Sequence, residues 1–274
     1  MRTIRRLGIT GVFGVVGVLA VVAAGCGSSG PATISIGTLR AAAANSQDAK
    51  TQSYEFTADV TAKGEHVTMK GSGVVATDGS SGTLTMDVPP IGAIEERITP
   101  DGFYIDMGSL GAGKLPEGKH WLFLSYDDMA AKSGQDLRKL EQQNQSSTQA
   151  LEYLQSTSGN VEKVGEDTVN GAPATHYRAD VDYAKYAAEK MPDATDAQRA
   201  KIAKLGKAPM DVWIDGNDRV VKLSFEMDGS AMGTDGASIK MTMEITGYDE
   251  SLDVQAPPAD EVISASALQG SSTA

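Results

Sequence analysis

What most constrains this chain is a change of hydrophobic period near residue 50. Before it, apolar residues fall at helical spacing. After it, they alternate with polar ones for most of the remaining length. "SYEFTADVTA" sets Tyr54, Phe56, Ala58 and Val60 against Glu55, Thr57 and Asp59, and "TLTMDV" alternates Leu84, Met86 and Val88. In "APMDVWIDGNDRVVKLSFEMD", Met210, Val212 and Ile214 lead into a turn; Val221, Leu223, Phe225 and Met227 lead out. "SIKMTMEITGY" sets Ile239, Met241, Met243 and Ile245 against Lys240, Thr242 and Glu244. A period of two marks a strand with one buried face. The runs are joined by "KGE", "DGSSG", "PDG", "NGAP" and "DGND". Connections this short permit only antiparallel neighbours, so the expectation is a long meander. "HWLFLSY" is apolar on both faces and reads as a buried central strand.

One helix precedes the meander and two helical insertions interrupt it. Ile36, Leu39 and Ala43 predict a first helix in "ISIGTLRAAAANSQDA". Leu137, Leu140, Leu151 and Leu154 share one side of a helix or helix pair between Asp127 and Gly159. Tyr183, Tyr186 and Ala187 form a short helix that Pro192 ends. Thr195 and Gln198 then supply a capping box for another, burying Ile202 and Leu205. A sheet this long must cover its apolar face, and these helices are the material available. The fold class is α+β, a strongly curved sheet with helices over its concave face.

The amino terminus carries a separate message. Arg2, Arg5 and Arg6 precede an uncharged stretch from Leu7 to Ala24, which ends in Ala23-Ala24-Gly25-Cys26. A basic start, an apolar middle and small residues at the end have the order of a secretory signal. The small residues before the single cysteine resemble the lipobox of bacterial lipoproteins, whose thiol receives diacylglycerol before the signal is removed. That resemblance implies a signal peptide over residues 1–25, an acylated Cys26, and a tether over 26–34. The alternative is an uncleaved membrane anchor. Without residues 1–25 the chain holds 21 basic against 36 acidic residues, which speaks against nucleic acid or anionic headgroups as partners. Localisation follows as extracytoplasmic, at the outer face of the cell membrane. The domain spans 35–263, and the tail "SASALQGSSTA" over 264–274 is expected to be disordered.

Three phrases belong together: "VEKVGEDTVNGAPATHYRADVD", "APMDVWIDGNDRVVKLSFEM" and "ITGYDESLDVQAPPADEV". They resemble the LppX/LprG lipoproteins of actinobacteria, whose fold is LolA-like, and the likeness runs from about Ser35 to Val262. The resemblance implies an unclosed antiparallel half-barrel, lidded by helices, with an apolar cavity that holds the acyl chains of a lipid or glycolipid. It supplies no catalytic residue.

The residues themselves point the same way. His66, His120 and His176 form no metal-binding spacing, and no free cysteine remains to join them. No GxSxG occurs, the glycine stretches lack the lysine of a phosphate loop, and "DGND" lacks EF-hand spacing. The expectation is a non-enzymatic protein with no cofactor and no metal. Methionine adapts to irregular apolar partners and suits a pocket for variable tails. The candidate wall therefore takes Met69, Met86, Met210, Met241 and Met243, with Phe56, Phe103, Phe123 and Phe225. Ile105, Val212 and Leu223 complete it. The same residues would equally fill a solid core. Two readings stay open: an anchored carrier of lipid, and an envelope sensor or assembly partner of the same fold with a filled interior.

Overall fold

The computed structural model describes residues 33–62, 64–108, 115–133, 153–154, 156–191, 194–228 and 237–271. Cys26 and leucines 137, 140 and 151 lie outside them. Among the described residues, thirteen strands form one sheet. These are β1 (Thr33–Ile34), β2 (Thr51–Ala62), β3 (Glu65–Ala76), β4 (Gly82–Val88), β5 (Gly92–Thr99), β6 (Gly102–Asp106) and β7 (Trp121–Ser125). They continue with β8 (Thr157–Val169), β9 (Ala172–Asp182), β10 (Lys207–Asp215), β11 (Val220–Asp228), β12 (Ser238–Tyr248) and β13 (Val262–Ser264). Their spatial order is β1-β8-β9-β10-β11-β12-β2-β3-β4-β5-β6-β7-β13. Two meanders, β2 to β7 and β8 to β12, are thus joined side by side through β12 and β2. The sheet is unclosed and curves as a half-barrel.

The turns explain why the meanders form. Asn170 and Gly171 both take positive φ, 51° and 77°, which a two-residue hairpin loop needs to match strand twist. At the centre of the sheet, Gly71 and Gly73 of β3 face the aromatic rings of Phe56 and Tyr54. A Cβ on Gly71 would lie 2.4 Å from Phe56 Cε1 and 2.6 Å from the Thr85 carbonyl oxygen. Glycine here lets a ring lie across the neighbouring strand.

Five helices are described: α1 (Ile36–Gln47), α2 (Tyr126–Ser133), α3 (Tyr183–Lys190), α4 (Asp196–Ala203) and α5 (Ala265–Ser271). Ser35 caps α1 by accepting from the Gly37 N–H at 3.1 Å. Leu39, Ala42 and Ala43 of α1 pack with Val161, Val181, Met210, Val212, Val220 and Leu223 in the main core. The end of α1 is tied to the sheet through Ser46, whose Oγ accepts from the Val220 N–H at 2.9 Å. Gln52 Nε2 donates to the Ser46 carbonyl at 2.9 Å. The Thr195–Gln198 capping box of α4 forms as predicted. Ile202 and Leu205 pack against the main core, although both remain half-buried.

Four expectations need correction. First, β7 is not central, since only β13 lies beyond it. Its second apolar face exists because Trp121 is covered from outside by the Arg97 guanidinium, 4.6 Å from the ring centroid. Second, the sheet is not wholly antiparallel, because β13 pairs with β7 in parallel. Third, the segment expected to be disordered from residue 264 ends strand β13 and forms α5, with Ser264 Oγ accepting from the Ala267 N–H at 3.2 Å. Fourth, Thr33 and Ile34, assigned to the tether, pair with Glu162 and Val161 as β1.

The segment between β12 and β13 crosses the outer face. Asp249 accepts from the Lys50 N–H at 2.8 Å, and Thr51 Oγ1 donates to the Glu250 carbonyl at 2.6 Å. Arg97 Nη1 then donates to the Gln255 carbonyl at 3.1 Å, and Pro257 is buried. Lys50, Thr51 and Arg97 tie this strap to the β2 to β7 meander, and the Arg219–Asp249 ion pair at 3.4 Å ties it to the turn before β11.

Candidate functional site: the inner face of the sheet

Strand register decides which predicted residues meet. One row runs Val212, Leu223, Met243 and Phe56, and continues through Gly71 to Met86 and Ile94. A second runs Met210, Phe225, Met241, Ala58 and Met69. Phe103 lies opposite Ile98 and Leu124, and Ile105 opposite Glu96 and Leu122. Eleven of the twelve candidate wall residues therefore share the face that carries α1. Phe123 does not. It pairs with Tyr104 on the outer face, the rings stacked at 4.5 Å between centroids. A strand apolar on both faces gives alternation no phase to report, which is why the sequence misplaced it.

The face is not uniform. Met210, Val212, Leu223, Phe225 and Met243 are 8% exposed or less and sit in packed clusters. Met69, Met86, Phe103 and Ile105 are half-buried, as are Leu84, Ile94, Leu122 and Leu124 beside them. Among the described residues, Val75 and Ile98 alone are buried side chains on the inner face of β3 to β7. The apolar residues at 84 and 94 were missed as wall residues, though period-two phase places both; Leu122 and Leu124 were missed because β7, apolar on both faces, shows no phase. Glu96 was missed too: a half-buried carboxylate on an otherwise apolar face, in phase with Ile94 and Ile98.

Electrostatics separate the two faces. Burial inside, with a smaller push from Tyr186, raises the Tyr183 phenol to about 12. The outer face carries a polar network instead. His176 stacks on Trp213 at 4.1 Å, and its Nε2 lies 2.7 Å from Asp211 Oδ1. Arg178 grips both oxygens of Asp211 at 2.9 and 3.1 Å. Trp213 Nε1 donates to Asp167 at 2.9 Å; the Thr168 backbone N–H, and then this indole, hold the Asp167 carboxyl below its usual range. His176 is thus held in this outer-face network through its ring and its Nε2. Among the described residues no three His, Cys, Asp or Glu side chains cluster as metal ligands.

The geometry can now be set beside known proteins. A Streptomyces griseus protein, the "Uncharacterized 31.2 kDa protein in rplA-rplJ intergenic region", is 31% identical over 223 residues, covering 74% of this chain and 71% of its own. The chain belongs to that protein's family. No family model matches the chain. Similar solved structures include Mycobacterium tuberculosis lipoprotein LppX, at 14% identity and a TM-score of 0.46, covering 80% of this chain and 97% of its own. Another is LprF from Mycobacterium bovis, at 13% identity and a TM-score of 0.48, covering 82% and 97%.

Proposed function

We propose that this member of the family is a lipid-anchored carrier of the cell envelope, holding the acyl chains of a lipid or glycolipid against the inner face of β3 to β7. The observation that carries this reading is the half-buried, methionine-bearing surface beside a fully packed one on the same face. Burying apolar surface contributes roughly 25 cal/mol per Å², or about 0.8 kcal/mol per methylene. A chain of about a dozen carbons would supply enough to outweigh the cost of ordering it, with no polar contact required. Diacylglycerol on Cys26 would hold the protein at the outer face of the membrane, two chains anchoring stably where one does so marginally. The role is carriage or presentation, without chemistry on the ligand.

The test is mass spectrometry of what full-length protein extracts from its membrane. Acyl lipid at near-stoichiometric amounts is the expected result; protein that is repeatedly empty overturns the carrier reading. Cys26→Ser is expected to release the protein from the membrane fraction, and retention there would refute the anchor. The solid core of β8 to β11 is what the alternative, a partner protein with a filled interior, would show throughout. The same extraction separates the two.

A further inference from the structure

Four buried side-chain polar atoms among the described residues lack a hydrogen-bond partner: Arg40 Nε, Gln52 Oε1, Ser156 Oγ and Tyr183 Oη. Gln52 stands apart, at the start of β2. The other three gather where β8 begins and β9 ends. Arg40 Nη2 donates to the Thr157 carbonyl at 3.2 Å, next to Ser156. Thr157 pairs with Val181, two residues before Tyr183. The Ser156 N–H donates to the Tyr153 carbonyl at 3.0 Å, and the Tyr153 ring lies 5.5 Å from that of Tyr183. Ser156 and Tyr183 are 0% and 1% exposed.

Folded proteins seldom leave buried donors unmade, because the group has given up water and received nothing. Here three donors do so in one neighbourhood. The guanidinium has no acceptor capacity and does not lose its charge. The nearby Asp182 carboxylate is already engaged, accepting from the Lys185 N–H at 3.0 Å and lying 3.8 Å from Lys207 Nζ. A second observation agrees. Residues 183–207, at this same end, hold six basic and three acidic residues in a chain of net charge −12. Lys201 and Lys204 on this segment are exposed and make no ion pair among the described residues. The overall negative charge, read from sequence as repelling anionic headgroups, does not describe this end.

Resting on the carrier reading above, we infer that Arg40, Ser156 and Tyr183 form the headgroup end of the ligand site and take an anionic, acceptor-only oxygen group. A phosphodiester headgroup is its lipid-borne form, inorganic phosphate its free form. Tyr153 stands edge-on to Tyr186 and to Phe225, and Phe225 lies on the inner face in the row of Met241, Ala58 and Met69. The phenol pKa near 12 keeps Tyr183 a donor at every physiological pH.

The experiment uses delipidated full-length protein in detergent, titrated with dioleoyl phosphatidylglycerol, dioleoylglycerol and inorganic phosphate. Wild type is expected to prefer the phosphate-bearing lipid by about tenfold or more, the scale of one charge-assisted hydrogen bond. Ser156→Ala combined with Tyr183→Phe removes only hydroxyls that bond to nothing. The double variant should melt no lower than wild type, keep its affinity for dioleoylglycerol and show a weakened preference, Arg40 alone remaining to hold the anion. Equal wild-type affinity for the two lipids overturns the headgroup site and leaves the carrier reading standing. Binding of neither lipid overturns both. A preference undiminished in the double variant, or a lowered melting temperature, overturns the inference as well. So does inorganic phosphate binding as tightly as the phospholipid, which would make this a site for the free anion.

Discussion

The two meanders use the same turn chemistry and the same alternation, yet they end in different physical states. Across β8 to β11, α1 lays Leu39, Ala42 and Ala43 onto Met210, Val212 and Leu223, and these side chains are sealed. Across β3 to β7, the residues in the same phase on the same face stay half-buried apart from Val75 and Ile98. Strand pattern alone therefore does not distinguish a core from a binding surface. Among the described residues, α1 seals the β8 to β11 face, whereas on β3 to β7 the Tyr126 ring of α2 packs edge-on against Phe103.

The largest effect expected from this contrast is in stability. Leu223→Ala or Met210→Ala should cost about 2–5 kcal/mol, the range for a cavity opened in a packed core. Met86→Ala should cost under about 1 kcal/mol, because its site is already partly open to solvent. Denaturant midpoints compare them directly, and equal losses would erase the distinction between the halves. Next comes Gly71→Val, between the two regions. Its side chain would meet the Phe56 ring and the Thr85 backbone, at a cost of roughly 1–3 kcal/mol from overpacking. Unchanged stability would show that the centre of the sheet is slacker than described.

A smaller effect concerns pH. Burial raises both Tyr183 and Tyr248 to about 12, against an ordinary value of 10.0. The folded state favours their neutral forms, so their contribution to stability is complete below pH 10 and is lost as pH rises from there through about 12. Absorbance near 295 nm should show Tyr183 and Tyr248 ionising late, with Tyr104, which burial also raises, above the ordinary value, and a single common titration at that ordinary value would contradict it. The smallest effect is on the outer face. Asp211→Asn weakens its exposed bidentate contact with Arg178 and should cost under about 1 kcal/mol, while altering the fluorescence of the neighbouring Trp213. A larger loss would mean that the outer network, not the inner core, holds this half together.

Much of the architecture was legible in the sequence because strands with one buried face announce their phase. Tyr54, Phe56, Ala58 and Val60 could point to one side only, and so could Met241 and Met243. Legibility failed where that physics was absent. In β7 both faces are apolar, so neither its edge position nor the outward Phe123 could be read; both depend on Arg97 and the strap, which are far away in sequence. The parallel pairing of β13 depends on the same distant strap. Sealed Met210 and half-buried Met86 look alike in sequence, since sealing depends on where α1 lies. Arg40, Ser156 and Tyr183 belong to different elements and share no motif. Only the missing hydrogen bonds single them out.

The central claim is that acyl chains lie on the inner face of β3 to β7. Photocrosslinking with a diazirine-bearing acyl lipid, followed by peptide mapping, tests it most directly. Adducts at Met69, Met86, Phe103 or Ile105, with none at Met210 or Leu223, are the predicted result. Adducts confined to the outer-face residues Tyr104 and Phe123, or none at saturating lipid, would contradict it.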